Sequence, residues 1–222
     1  MSLIPVQRLT SLCLIAIIAL ALNGCGSKDD PRLANPKAAA RTLFQAMYDN
    51  DLVTAKSCIV AGPGQTELLE GMTKMVAAMR GATDVAFKRY GDEFAKLAGG
   101  SLDAAHIDPK QIDAGSEAVA GESATIVLSS GKTTLRLVRT EKDWKVDMVQ
   151  SFVPKANLGD PRMMRVMMSM FSGMARAGDQ TKAEIEAGKY PSGRQAVQAL
   201  LANMKQAIEE EKDRAIKEFA PL

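Results

Sequence analysis

Residues 124–152 read ATIVLSSGKTTLRLVRTEKDWKVDMVQSF, and their period decides the fold. Residues 124–128 and 133–139 read as strands rich in Thr, Val, Ile and Leu, with Ser129, Ser130, Gly131 and Lys132 between. A period of two puts alternate side chains on opposite faces of a strand, and the Ser-Ser-Gly-Lys stretch is turn chemistry. Glu141, Lys142 and Asp143 make a second turn, after which Trp144, Val146, Met148, Gln150 and Phe152 alternate along a predicted final strand. Shorter strand signals precede these at Gln111-Ile112 and Ala118-Val119. Strands joined by tight turns, each with one apolar face, predict an antiparallel meander buried on one side.

Upstream the period is helical. Asn35-Pro36 opens a helix whose Ala40, Leu43, Phe44 and Met47 fall on one face. Asp49-Asn50-Asp51 breaks it and caps a second, carrying Leu52, Ala55 and Ile59 inward. Gly62-Pro63-Gly64 is a loop. Thr66 is then predicted to cap a third helix with a stripe of Leu68, Met72, Met75, Val76 and Met79. A fourth, beginning after Gly81, carries Phe87, Tyr90, Phe94 and Leu97 and ends at Gly99-Gly100. Helices first and a meander second make an α+β class.

Downstream, Asp160-Pro161 starts a helix dense in methionine: Met163, Met164, Met167, Met168, Met170 and Met174. Met163, Met167, Met170, Phe171 and Met174 form one stripe, a flexible apolar face suited to packing or to a varied partner. Gly178 and Gly188 are expected to bound a short connecting helix. Ser192 caps a long final one bearing Val197, Leu200, Leu201, Met204, Ile208, Ala215 and Phe219. Its apolar repeat is too short and irregular for a coiled coil.

The amino-terminal end has a different character. Residues 1–8 carry one Arg and no acid; residues 9–22 are almost wholly apolar, and Gly24 precedes Cys25. About fourteen apolar residues suit a signal-peptide core, whereas a membrane-spanning helix needs about twenty. Leu22-Asn23-Gly24-Cys25 resembles the lipobox of bacterial lipoproteins. The resemblance implies cleavage between Gly24 and Cys25, fatty acylation of Cys25 and a cell-envelope protein anchored in a membrane, inner or outer, facing the periplasm or exterior. The implied organisation is a leader at 1–24, a polar tether at 25–34, an α+β domain at 35–153 and a helical extension at 154–222.

Of three cysteines, Cys13 leaves with the leader and Cys25 carries lipid, so Cys58 stands alone and is expected to pack as a small buried hydrophobe. The formal net charge is +2, one lower without Arg8, and no basic face marks a nucleic-acid partner.

The helix break AMYDNDLVTAKSC (46–58) and the later EKDWKVDMVQSF (141–152) together resemble the nuclear transport factor 2-like superfamily. That family includes ketosteroid isomerase and many small lipoproteins. The resemblance implies helices packed on a curved, cone-like antiparallel sheet, with the 154–222 helices as an extension. Its isomerase residues do not carry over. Counting back two turns from Asp51 reaches Leu43 instead of the family's tyrosine, and the Asp-Pro pairs, Asp108-Pro109 and Asp160-Pro161, fit helix starts.

Other chemistry is sparse. His106, the single histidine, lies between Asp103 and Asp108 and reads as a loop residue; neither a metal nor a cofactor is called for. The expectation is a non-enzymatic module binding a small apolar ligand or a protein partner. Two alternatives stand beside it. One is a cavity enzyme (isomerase, dehydratase or hydrolase) using Tyr90, Asp113 or His106; the other is a scaffold acting through the Met-rich helix.

Overall fold

The computed structural model describes residues 30–98, 107–155 and 160–219. Gly24, Cys25, Gly99, Gly100 and His106 lie outside the described residues. The chain divides at Asp30 into two units, and the second begins at Pro31.

After a 3-10 turn at Pro31–Leu33, α1 (Pro36–Tyr48) opens as its sequence dictates: Asn35 caps it, its Oδ1 accepting from Ala38 N at 2.9 Å. Asn50 (φ 58) turns the corner and Asp51 caps α2 (Leu52–Ser57) through Thr54 N at 3.0 Å. The sheet is an open meander of β1 (Ser116–Ala120), β2 (Ser123–Val127), β3 (Thr134–Thr140) and β4 (Asp143–Val146), in that order. Alternation holds: Ala124, Ile126, Leu135, Leu137, Trp144 and Val146 are buried. They form one core with Leu43, Phe44 and Met47 of α1 and with Leu68, Leu69 and Met72. The free edge of β4 is covered by residues 58–60, with Val146 N donating to Cys58 O at 2.8 Å and Val60 N to Val146 O at 3.1 Å. β1 is exposed along its length.

The structure corrects five of the predicted elements. The third helix passes through Gly81 without a break, so α3 is Gln65–Tyr90; the stop comes at Gly91 (φ 55), followed by α4 (Asp92–Ala98). A helical Gly costs about 1 kcal/mol against Ala, less than the packing along α3 returns. Gly64 (φ 76), rather than Thr66, occupies the cap of α3. Gln111 and Ile112 lie in a short helix, α5 (Pro109–Asp113), capped by Asp108, with Ile112 fully buried. The last strand ends at Val146, because Asp147 accepts from Gln150 N and starts α6 (Met148–Phe152). Finally, Gly178 lies inside a continuous α7 (Pro161–Glu186), which ends at Ala187 and Gly188 (φ 75).

That last correction explains how the carboxy-terminal helices attach. α7 lies parallel to α3 in a register of about one hundred residues. A β-carbon at Gly71 would meet Met168 Cε at 2.7 Å, and one at Gly178 would meet Ala78 C and O at 2.9 Å. Further along, Arg89 NH1 donates to Ile185 O at 2.8 Å and Tyr90 OH to Tyr190 O at 2.7 Å. Gly178 is required by contact: two helix backbones meet there with no space for a side chain. α8 (Gly193–Phe219) then returns along α7. Ser192 Oγ accepts from Gln195 N at 3.3 Å, and the Glu93 carboxylate accepts from Gly193 N and Arg194 N. Leu200 of α8 packs with Met75, Val76 and Met79 of α3. Residues of α7 and α8 from Met163 to Met204 therefore share their core with the earlier helices.

Candidate functional site

Between the α1–α2 corner, α3 and α7 lies a groove of about 490 Å3. Asn50 and Leu52 form one wall; Glu70, Thr73, Lys74, Ala77, Ala78 and Gly81 of α3 form the floor; Asp179 and Lys182 of α7 close the other side. Arg80 fixes the corner. Its NH1 donates to Tyr48 O at 2.8 Å, its guanidinium stands 4.3 Å from the Tyr48 ring centre, and it pairs with Asp49 at 3.6 Å. Lys56 of α2 pairs with Glu70 at 2.7 Å. Both ties hold the walls in place, and the volume falls in the range of small-ligand sites.

Two features of the floor work against bare stability. Thr73 is 1 % exposed, and among the described residues its hydroxyl is the one buried side-chain oxygen or nitrogen without a hydrogen-bond partner. Buried hydroxyls are almost always satisfied, and leaving one orphaned costs about 1–3 kcal/mol. Gly81 stands in helical backbone with only Lys182 Cδ, at 3.5 Å, near the place of a β-carbon. Nothing in the packing excludes a side chain there. Two further surface hollows, of about 470 Å3 beside Arg41, Thr42 and Asp51 and about 430 Å3 beside Lys132, Arg136 and Lys155, contain no such orphan.

The α7–α8 elbow is the other polar centre. Glu184 receives hydrogen bonds from Lys189 Nζ (2.6 Å), Tyr190 OH and Gln180 Nε2 (3.2 Å). Those from Lys189 and Tyr190, in that order, pull its carboxyl down to about 2. Burial first, and then the same carboxylate, pushes Tyr190 up to about 12. With every group held by a named partner, the elbow reads as a joint.

The residues singled out from sequence are scattered. Met163, Met167 and Phe171 pack on the main core, and Phe171 and Met174 on the cluster around Leu200, so four of the five stripe residues face into the protein. Met170 is half-buried. Cys58 is fully buried, its Sγ directed to Thr54 O at 3.2 Å. Tyr90 points to the elbow and Asp113 pairs with Arg41 at 2.9 Å, so the structure does not bring them together. The groove residues were missed because Thr73, Lys74 and Gly81 look like ordinary helix-surface residues until α7 is laid beside them.

No protein family, curated protein or solved structure matches this chain.

Proposed function

We propose that the protein is a lipid-anchored cell-envelope protein, held in the membrane through acylated Cys25, whose folded unit is a non-enzymatic binding module. The anchor rests on the sequence: a short apolar run at 9–22 closed by Leu22-Asn23-Gly24-Cys25. The observation that carries the binding reading is the groove of about 490 Å3 between Asn50 and Leu52, α3, and Asp179 and Lys182 of α7, beside an interior that is filled. The space between sheet and helices, where a cone-like enzyme would hold substrate, is occupied by Leu43, Phe44, Met47, Leu135 and Trp144. Likeness to the nuclear transport factor 2-like cone belongs to the same proposal, supported by the corner at Asp49-Asn50-Asp51 and the meander whose last strand carries Trp144.

Expression of the full chain in a bacterium fed a clickable palmitate analogue tests the anchor. Labelling of the wild type and loss of label in Cys25→Ala is the expected result. Equal labelling of both would refute the anchor.

A further inference from the structure

We infer that a separate hollow, the one of about 430 Å3 between the β2–β3 turn, β3 and α6, binds a phosphate group, carried by a lipid headgroup or by a soluble ester. The sign of its charges chooses the class. Lys132, Arg136 and Lys155 line it with the Thr134 and Ser151 hydroxyls, and no carboxylate does. The other two hollows mix signs: Lys74 and Lys182 stand with Glu70 and Asp179 in one, Arg32 and Arg41 with Asp49 and Asp51 in the other. Among the described residues, none of the three cations beside β3 enters an ion pair.

Arg136 is the fixed part of the site. β3 is an inner strand, and its inward residues Leu135 and Leu137 put Arg136 on the outer face, half-buried. Its backbone N–H donates to Ser151 Oγ at 2.8 Å, and its NH1 donates to Thr125 Oγ1, directly across on β2, at 2.9 Å. The guanidinium is held in place, while its NH2 and Nε make no hydrogen bond among the described residues. Threonine stands where an acid would stabilise it, and the diagonal neighbour on β4 is another cation, Lys145, opposite Val138. Asp143, the one acid that the register places on this face, is level with Thr140, four residues along β3 or about 13 Å. Asp147 donates its N–H to Arg136 O, but its carboxylate accepts from Gln65 and Gln150 instead. A half-buried cation among like charges costs stability, and an anion in the hollow removes that cost. Phosphate suits this donor set better than a carboxylate does. The guanidinium fork takes two of its oxygens, and two lysines remain for the third oxygen and the second charge.

Titration calorimetry with glycerol 3-phosphate on the full chain in dodecyl maltoside, which carries no phosphate, tests this. Saturable binding is expected, weakened at least about tenfold in Arg136→Gln and in the double variant Lys132→Gln with Lys155→Gln. Acetate should fail to bind. Glutamine at 136 can still donate to Thr125, and both lysines are exposed, so each variant should melt within about 4 °C of wild type. Micelles doped with phosphatidylglycerol identify the source. Loss of glycerol 3-phosphate binding in them supports a lipid headgroup as the ligand, and unchanged binding supports a soluble ester. No binding of glycerol 3-phosphate, or equal binding by wild type and the folded double-lysine variant, overturns the site. Gly81→Leu, in the groove beside α3, should titrate as wild type does; loss of binding there would place the phosphate in that groove and overturn the assignment to β3.

Discussion

Gln65 and Asp147, 82 residues apart in the chain, meet in the buried interior with Gln65 Nε2 donating to Asp147 Oδ1 at 2.8 Å. The same glutamine accepts from Met148 N at 2.8 Å, while Asp147 also accepts from Gln150 N and Nε2 at 2.9 Å. One amide and one carboxylate thus join the start of α3 to the point where the sheet ends. Asp147→Ala removes a helix cap and leaves the Gln65 amide unsatisfied. It is expected to destabilise the protein by about 2–4 kcal/mol in urea unfolding. A loss under about 0.5 kcal/mol would deny the joint its importance.

Two glycines on the facing helices should respond with opposite sign. Gly178→Ala places a methyl 2.9 Å from the Ala78 backbone and is expected to cost about 1–3 kcal/mol through overpacking. Gly81→Ala meets only a flexible Lys182 methylene at 3.5 Å and should gain up to about 1 kcal/mol in helix propensity. Paired melting curves decide it, and equal shifts in the same direction would contradict the parallel contact.

Acid stability should depend on the elbow. Glu184 has a folded pKa of about 2, below its ordinary 4.5, because Lys189 and Tyr190 donate to it. A lowered carboxyl pKa adds stability that is present above pH 4.5 and is lost as pH falls towards 2. Screening around the exposed Lys189 reduces the contribution to about 1–2 kcal/mol. Unfolding free energies of wild type and Glu184→Gln should differ by that amount at pH 7 and converge near pH 2. A gap that stays constant across this range would rule the contribution out.

Phe171 tests the methionine-rich face, since it packs on two clusters at once. Phe171→Ala should destabilise by about 2 kcal/mol, reflecting a half-buried aromatic. Unchanged unfolding would mean that the stripe is a free surface available to partners.

Much of the fold was legible because it is local. Asn35-Pro36, Asp51 and the turns at Gly131 and Glu141 act within a few residues, and the structure keeps each. At 148–152 a local signal overrides the alternation of Met148, Gln150 and Phe152: Asp147 followed three residues later by Gln150 is capping chemistry. Gly81 and Gly178 misled for a different reason. Gly178 stays helical because the Ala78 backbone, a hundred residues away, packs directly on it, and Gly81 because the packed residues on either side outweigh a helical glycine's cost of about 1 kcal/mol. The groove was illegible for the same reason. Nothing adjacent in sequence marks Thr73 as orphaned, because orphaning is a property of the packed helices.

Native mass spectrometry of the full chain, extracted gently from its own membrane, tests the binding reading most directly. The wild type should carry a small bound mass that is lost from Gly81→Leu, with the two proteins melting within about 2–4 °C of each other, the shift expected for about 1 kcal/mol. The same mass retained by both proteins, or found on neither, would contradict a ligand site in the groove between α3 and α7.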